Sequence, residues 1–131
     1  MALGALLAGV GVVYWLVVAR ASEGLRQQSA RTRDALVRSS FSCPEGSAQR
    51  VEPWSKAGWS RFCVGDEGRT GLWQAWESER LAIEGSYHHG REEGIWRWFH
   101  PDGSTFREIE YVAGQAVRNE IASEARATEG D

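Results

Sequence analysis

Gly71-Leu72-Trp73-Gln74-Ala75-Trp76 is followed, after a turn, by Glu84-Gly85-Ser86-Tyr87-His88-His89-Gly90. The pattern then returns as Gly94-Ile95-Trp96-Arg97-Trp98-Phe99 and Glu108-Ile109-Glu110-Tyr111-Val112-Ala113-Gly114. Gly71 matches Gly94, Trp73 matches Trp96, Trp76 matches Phe99, Glu84 matches Glu108, Tyr87 matches Tyr111 and Gly90 matches Gly114, at a period of 23 to 24 residues. Self-similarity at a fixed short period is the signature of a repeat architecture.

Each copy reads as a β-hairpin. Pro101-Asp102-Gly103-Ser104 is a turn signal, because Pro pre-sets φ and Gly accepts the positive φ that follows. Alternation along a strand sets Ile83, Gly85 and Tyr87 on one face and Ala82, Glu84 and Ser86 on the other. Trp73 and Trp96 hold the same place in successive units and can line a shared aromatic face, and Gly85 leaves room for a ring against the backbone. A single hairpin cannot cover its own apolar face; the next hairpin supplies the cover. The expected fold is mainly β, an antiparallel hairpin-repeat sheet preceded by an N-terminal α-helix.

These residues resemble the MORN-repeat variants, including the group labelled YwqK-family antitoxins, whose pattern is roughly G-x-W-x-x-W followed by E-G-x-Y-x-x-G. The resemblance covers Gly71 to Gly114, with Trp59 to Gly68 as a half-unit. The chain departs from the pattern in lacking the turn glycine in the first copy and in carrying Ile109 at a glycine position. The resemblance implies an elongated antiparallel sheet serving protein–protein or membrane-proximal interaction. The antitoxin role would come by analogy only.

Outside the repeat the composition changes abruptly. Ala2 to Ala19 is an uncharged run rich in Leu, Val and Ala, with Tyr14 and Trp15 near its far end and Arg20 closing it. Eighteen helical residues span about 27 Å, close to the hydrocarbon thickness of a thin bilayer, and aromatics beside a basic residue suit its interface. Residues 1–20 are therefore expected to be a transmembrane anchor. A cleaved signal peptide is the rival, favoured by Ala19-Arg20-Ala21 and disfavoured because no basic residue precedes the run; a buried core helix is the third reading. Residues 21–40, with five arginines from Arg20 to Arg38 against Glu23 and Asp34, read as a solvated helical stalk. The remainder carries ten Lys or Arg against sixteen Asp or Glu, and this acidic balance argues against nucleic-acid binding.

Cys43 and Cys63 are the only cysteines and flank one irregular loop. A disulfide between them would close a loop of about twenty residues and contribute on the order of 3 kcal/mol; two unrelated thiols are the alternative. A disulfide implies an oxidising compartment, whereas the Arg-rich flank favours a cytoplasmic domain by the positive-inside tendency. The expectation is a single-pass membrane protein with its C-terminal domain periplasmic or otherwise extracytoplasmic, the cytoplasmic orientation staying open.

No constellation carries chemistry. There is no CxxC or HxxxH spacing for zinc, no phosphate-cradling Gly-rich loop, and no nucleophile elbow. Neighbouring His88 and His89 would point to opposite faces of a strand, and Glu84 and Glu108 read as solvent-facing partners of Arg97 and Arg107. No cofactor, metal or catalytic residue is expected. The residues expected to matter are the aromatics Trp73, Trp76, Tyr87, Trp96, Trp98, Phe99 and Tyr111, as core or binding face, and the turn glycines Gly71, Gly90, Gly94, Gly103 and Gly114. The organisation expected is an anchor (1–20), a stalk (21–40), a disulfide-closed loop with a first strand or half-repeat (41–70), two hairpin repeats (71–117) and a polar tail (118–131), frayed or weakly helical from about Asn119 to Ala127. The functional expectation is a membrane-anchored, non-enzymatic interaction or scaffolding module at the cell envelope, with an unidentified protein partner and sheet edges through which copies can associate. The alternative is an antitoxin-like protein that neutralises a toxin by direct binding.

Overall fold

The computed structural model describes residues 3–39 and 41–121, with side chains from Gly9 onward. One long helix, α1 (Leu3–Arg38), precedes seven strands: β1 (Ala48–Ser55), β2 (Gly58–Gly65), β3 (Gly68–Glu77), β4 (Arg80–His88), β5 (Arg91–Phe99), β6 (Thr105–Val112) and β7 (Gln115–Ile121). They form a single antiparallel meander in the order β1-β2-β3-β4-β5-β6-β7. The hairpins expected from the repeat are β3–β4 and β5–β6. Two strands exceed the expectation. The segment 41–70 holds two full strands and the start of β3, where one strand or a half-repeat is expected, and Gln115–Ile121 is a strand that runs from the end of the second repeat into the tail, which is expected to be frayed or weakly helical only from about Asn119. The reason for β7 is local: Ala113 and Gly114 both have positive φ, 49° and 83°, which gives the tight turn whose twist returns the chain alongside β6. The rest of the expected tail, 122–131, lies outside the described residues.

The register shows how far the repetition extends. In β3–β4, Gly71 pairs with Tyr87, Trp73 with Gly85 and Gln74 with Glu84. In β5–β6 the same places are held by Gly94 and Tyr111, Trp96 and Ile109, and Arg97 and Glu108. The first hairpin, β1–β2, keeps this register with none of the signature residues: Ala48 pairs with Val64, Arg50 with Phe62 and Val51 with Arg61. Between hairpins the correspondence continues, Arg61 facing Gln74, Glu84 facing Arg97 and Glu108 facing Glu120. The sheet is thus three register-equivalent hairpins followed by β7. Every neighbouring strand pair contains a register shift, and bulges of this kind bend a strand and increase its twist.

Helix α1 is continuous through the expected anchor and stalk, but the stalk is not solvated on all sides. Thr32 and Leu36 are only 3% and 5% exposed. The Trp59 indole N–H donates to the Ser29 carbonyl and hydroxyl oxygens, both at 2.8 Å, and Gln49 Nε2 donates to the Leu36 carbonyl at 3.2 Å. Ser29, Thr32 and Leu36 share one helix face by their spacing, and that face is laid on β1 and β2. The helix stops with Arg38 in its last turn, where a cation suits the carbonyl end of the helix dipole. Among the described residues no helix is long and apolar enough to cross a membrane, and the side chains of residues 1–8, which make up much of the expected span, lie outside them. From Val10 to Val18 the helix is exposed all round, Trp15 at 76%.

Candidate interaction surface

The two faces of the sheet differ in chemistry. On one face Phe62, Trp73, Ala75 and Trp96 form the buried core, and Val64, Ile83, Tyr87, Trp98 and Tyr111 pack against it. Trp96 is the hub: its ring lies 5.3 Å from Trp73, 5.2 Å edge-on from Tyr87, 6.1 Å from Tyr111 and 6.5 Å from Trp98. These are the offset and edge-to-face separations that aromatic quadrupoles favour. A Cβ at Gly85 would overlap the Trp96 ring, so glycine there lets the indole lie directly on the backbone of β4. The Trp96 N–H donates to the Ser86 carbonyl at 3.2 Å, whereas the buried Trp73 N–H has no partner among the described residues. The outer rings are capped by cations: the Arg69 guanidinium sits 4.6 Å from the Phe62 ring centre, and Arg107 sits 5.4 Å from that of Trp98.

Five of the seven expected aromatics therefore belong to one cluster. Trp76 and Phe99 do not. Trp76 lines a groove of about 420 Å³ between α1 and the sheet, together with Thr32, Leu36 and Arg61, and Phe99 lines a smaller one with Leu81 and Pro101. The five expected glycines all have positive φ, but their roles divide. Gly90, Gly103 and Gly114 are in turns. Gly71 and Gly94 are not: each lies within a strand where the ladder shifts, next to the breaks between Phe62 and Cys63 and between Glu84 and Ser86. That is a bulge position, which calls for the same left-handed backbone as a turn.

The opposite face carries a polar row that the register aligns across the sheet: Arg61, Gln74, Glu84, Arg97, Glu108 and Glu120. Arg61 Nη2 donates to Gln74 Oε1 at 2.8 Å, Gln74 Nε2 donates to Glu84 Oε2 at 2.8 Å, and Arg97 lies 3.5 Å from Glu108. Arg107, expected to share this role, is on the aromatic side, stacked on Trp98 and donating to Asn119. Arg61 is the buried end of the row. It donates to the Ser39 hydroxyl and lies 4.4 Å from the Phe41 ring centre, and burial lowers its pKa from the ordinary arginine value. From Glu84 onward the row is half-buried to exposed.

Cys43 and Cys63 are disulfide-bonded, with Cα atoms 5.6 Å apart. Cys63 is fully buried on β2, so the bond ties the chain just beyond α1 to the interior of the sheet. His88 and His89 stack at 3.9 Å, contrary to the opposite-face expectation, because His89 leaves the strand with φ of 49°. His89 Nδ1 lies 2.9 Å from Glu67. His100 packs on Phe106 instead. Hydrogen bonds from the Ser104 hydroxyl and backbone N–H hold the Asp102 carboxyl below its usual pKa, a feature of the β5–β6 turn. Among the described residues no group of three or more His, Cys, Asp or Glu is arranged to hold a metal ion. Sequence reading missed Ser29, Thr32, Gln49 and Arg61, polar residues that join helix to sheet. No protein-family model, no curated protein and no solved structure matches the chain.

Proposed function

We propose that the chain is a membrane-tethered, non-enzymatic interaction module built of degenerate MORN-like hairpin units, and that its partner docks on the polar row from Glu84 to Glu120. The observation that carries this reading is the division of the sheet: the rings on one face are spent on one another, while the other presents three carboxylates and one guanidinium in a fixed register. Such a row offers orientation and selectivity to a partner of complementary charge. The tether is supported by the exposed apolar surface of α1 from Val10 to Val18, too large an apolar area to leave in water without a membrane or partner, and by the arginines that follow it. The disulfide supports an extracytoplasmic place for the sheet. The antitoxin role has only the resemblance behind it and is not carried further.

A photo-crosslinking residue at position 97, on the exposed part of the row, tests the docking face in cells, with one at position 69 on the aromatic side as control. The expected result is a chain that sediments with membranes, is released by detergent but not by salt, and forms discrete adducts from position 97 alone. A salt-soluble chain would remove the tether, and adducts equal at 69 and 97 would remove the docking face.

A further inference from the structure

The two edges of the sheet are built differently. β1 contains Pro53, which has no N–H to offer a neighbouring strand, and its ladder is broken between Pro53 and Ser55. Both devices discourage edge-to-edge pairing. β7 has no proline, all seven of its residues are exposed, and Val117 and Ile121 stand at 59% and 68% exposure. Among the described residues nothing pairs with its outer side.

The register identifies that outer side. Glu120 faces Glu108 as Arg97 faces Glu84, so residues 117–120 correspond to 94–97. In β5 those four residues pair without interruption with the second strand of their hairpin, Gly94 to Tyr111 through Arg97 to Glu108. The outer side of β7 is therefore the side on which each preceding unit receives its second strand.

We propose that this place is filled by β7 of a second copy of the chain, running antiparallel about a twofold axis with Asn119 opposite Asn119. In this register Arg118 meets the partner copy's Glu120 and Val117 meets its Ile121, each pair occurring twice, as an isologous contact requires. The neighbouring registers that keep the aromatic faces on the same side fail on charge: one sets Arg118 against Arg118, the other Glu120 against Glu120. Like charges directly opposite destabilise a strand pair, whereas opposite charges and apolar pairs stabilise it. The strand is thus complementary to itself in one register.

The test uses the full chain in detergent micelles, which cover the apolar helix so that association through it does not dominate. Asn119→Cys brings two thiols to facing positions and is expected to give a disulfide-linked dimer under mild oxidation with copper phenanthroline. Val117→Cys places its two thiols four residue positions apart, roughly 13 Å, beyond disulfide reach, and is expected to stay monomeric on a non-reducing gel. In the Asn119→Cys background, Arg118→Glu is expected to lower the crosslinked fraction at least fivefold, and adding Glu120→Arg is expected to restore it. A free thiol at position 119, equal crosslinking at 117 and 119, or no recovery on charge exchange would each overturn the pairing. Pairing of β7 with the chain's own residues 122–131 would show as the first of these outcomes.

Discussion

At the residue scale the sheet turns on Gly85 and the indole that lies over it. Gly85→Ala forces the Trp96 ring off the β4 backbone, an overpacking change expected to cost about 1–3 kcal/mol. Thermal unfolding should show a midpoint lowered by several degrees; an unchanged midpoint would mean that the ring does not rest there. The two repeat tryptophans should also differ. Trp96→Phe removes a hydrogen bond to Ser86 and Trp73→Phe removes none, so the former should be the more damaging by roughly 1 kcal/mol in paired urea titrations. Much of this was legible in advance, because a glycine amid matched tryptophans has few structural uses. Ser78 and Glu79, by contrast, both have positive φ, 46° and 69°, and nothing in their chemistry announces it. The two flanking strands impose a tight turn, and ordinary side chains bear the strain.

At the element scale, the first hairpin and the docked helix were the illegible parts. β1–β2 keeps the common register with Ala48, Arg50, Phe62 and Val64 at the signature places, so pairing geometry persists where residue identity has gone. The helix was misread because its buried face uses Ser29, Thr32 and Leu36. A hydroxyl that bonds within its own helix, as Thr32 does to the Gln28 carbonyl at 3.0 Å, can be buried without leaving any apolar periodicity to find. The disulfide was legible from the two cysteines alone, and it holds these elements together. Replacing both cysteines by alanine should lower stability by about 3 kcal/mol, the value expected for a loop of this length. Denaturation of the oxidised chain beside the double variant would measure it; a difference within about 0.5 kcal/mol, the scatter of ordinary surface substitutions, would show the bond to be dispensable.

For the whole molecule, the equivalence of registers means that strand partners are interchangeable between units. A chain from which residues 71–93 are excised joins Thr70 to Gly94, which lets Trp96 take the place of Trp73 opposite Phe62 and leaves the helix contacts with β1 and β2 in place. Made together with Arg97→Gln, which keeps an amide and not a second guanidinium opposite the buried Arg61, it should fold to a shorter sheet with cooperative thermal unfolding. Excising 71–92 instead puts Glu93 after Thr70 and turns every later side chain to the wrong face, and that chain should lack a cooperative transition. The attachment of the helix has a mechanical side as well. Tension carried along the chain from α1 enters through Cys43 and passes by a covalent link to Cys63, two residues before the end of β2. The intervening residues, 44–62, form a closed bypass that bears no load. Pulling on the chain therefore does not load the β1–β2 ladder, which the covalent link bypasses.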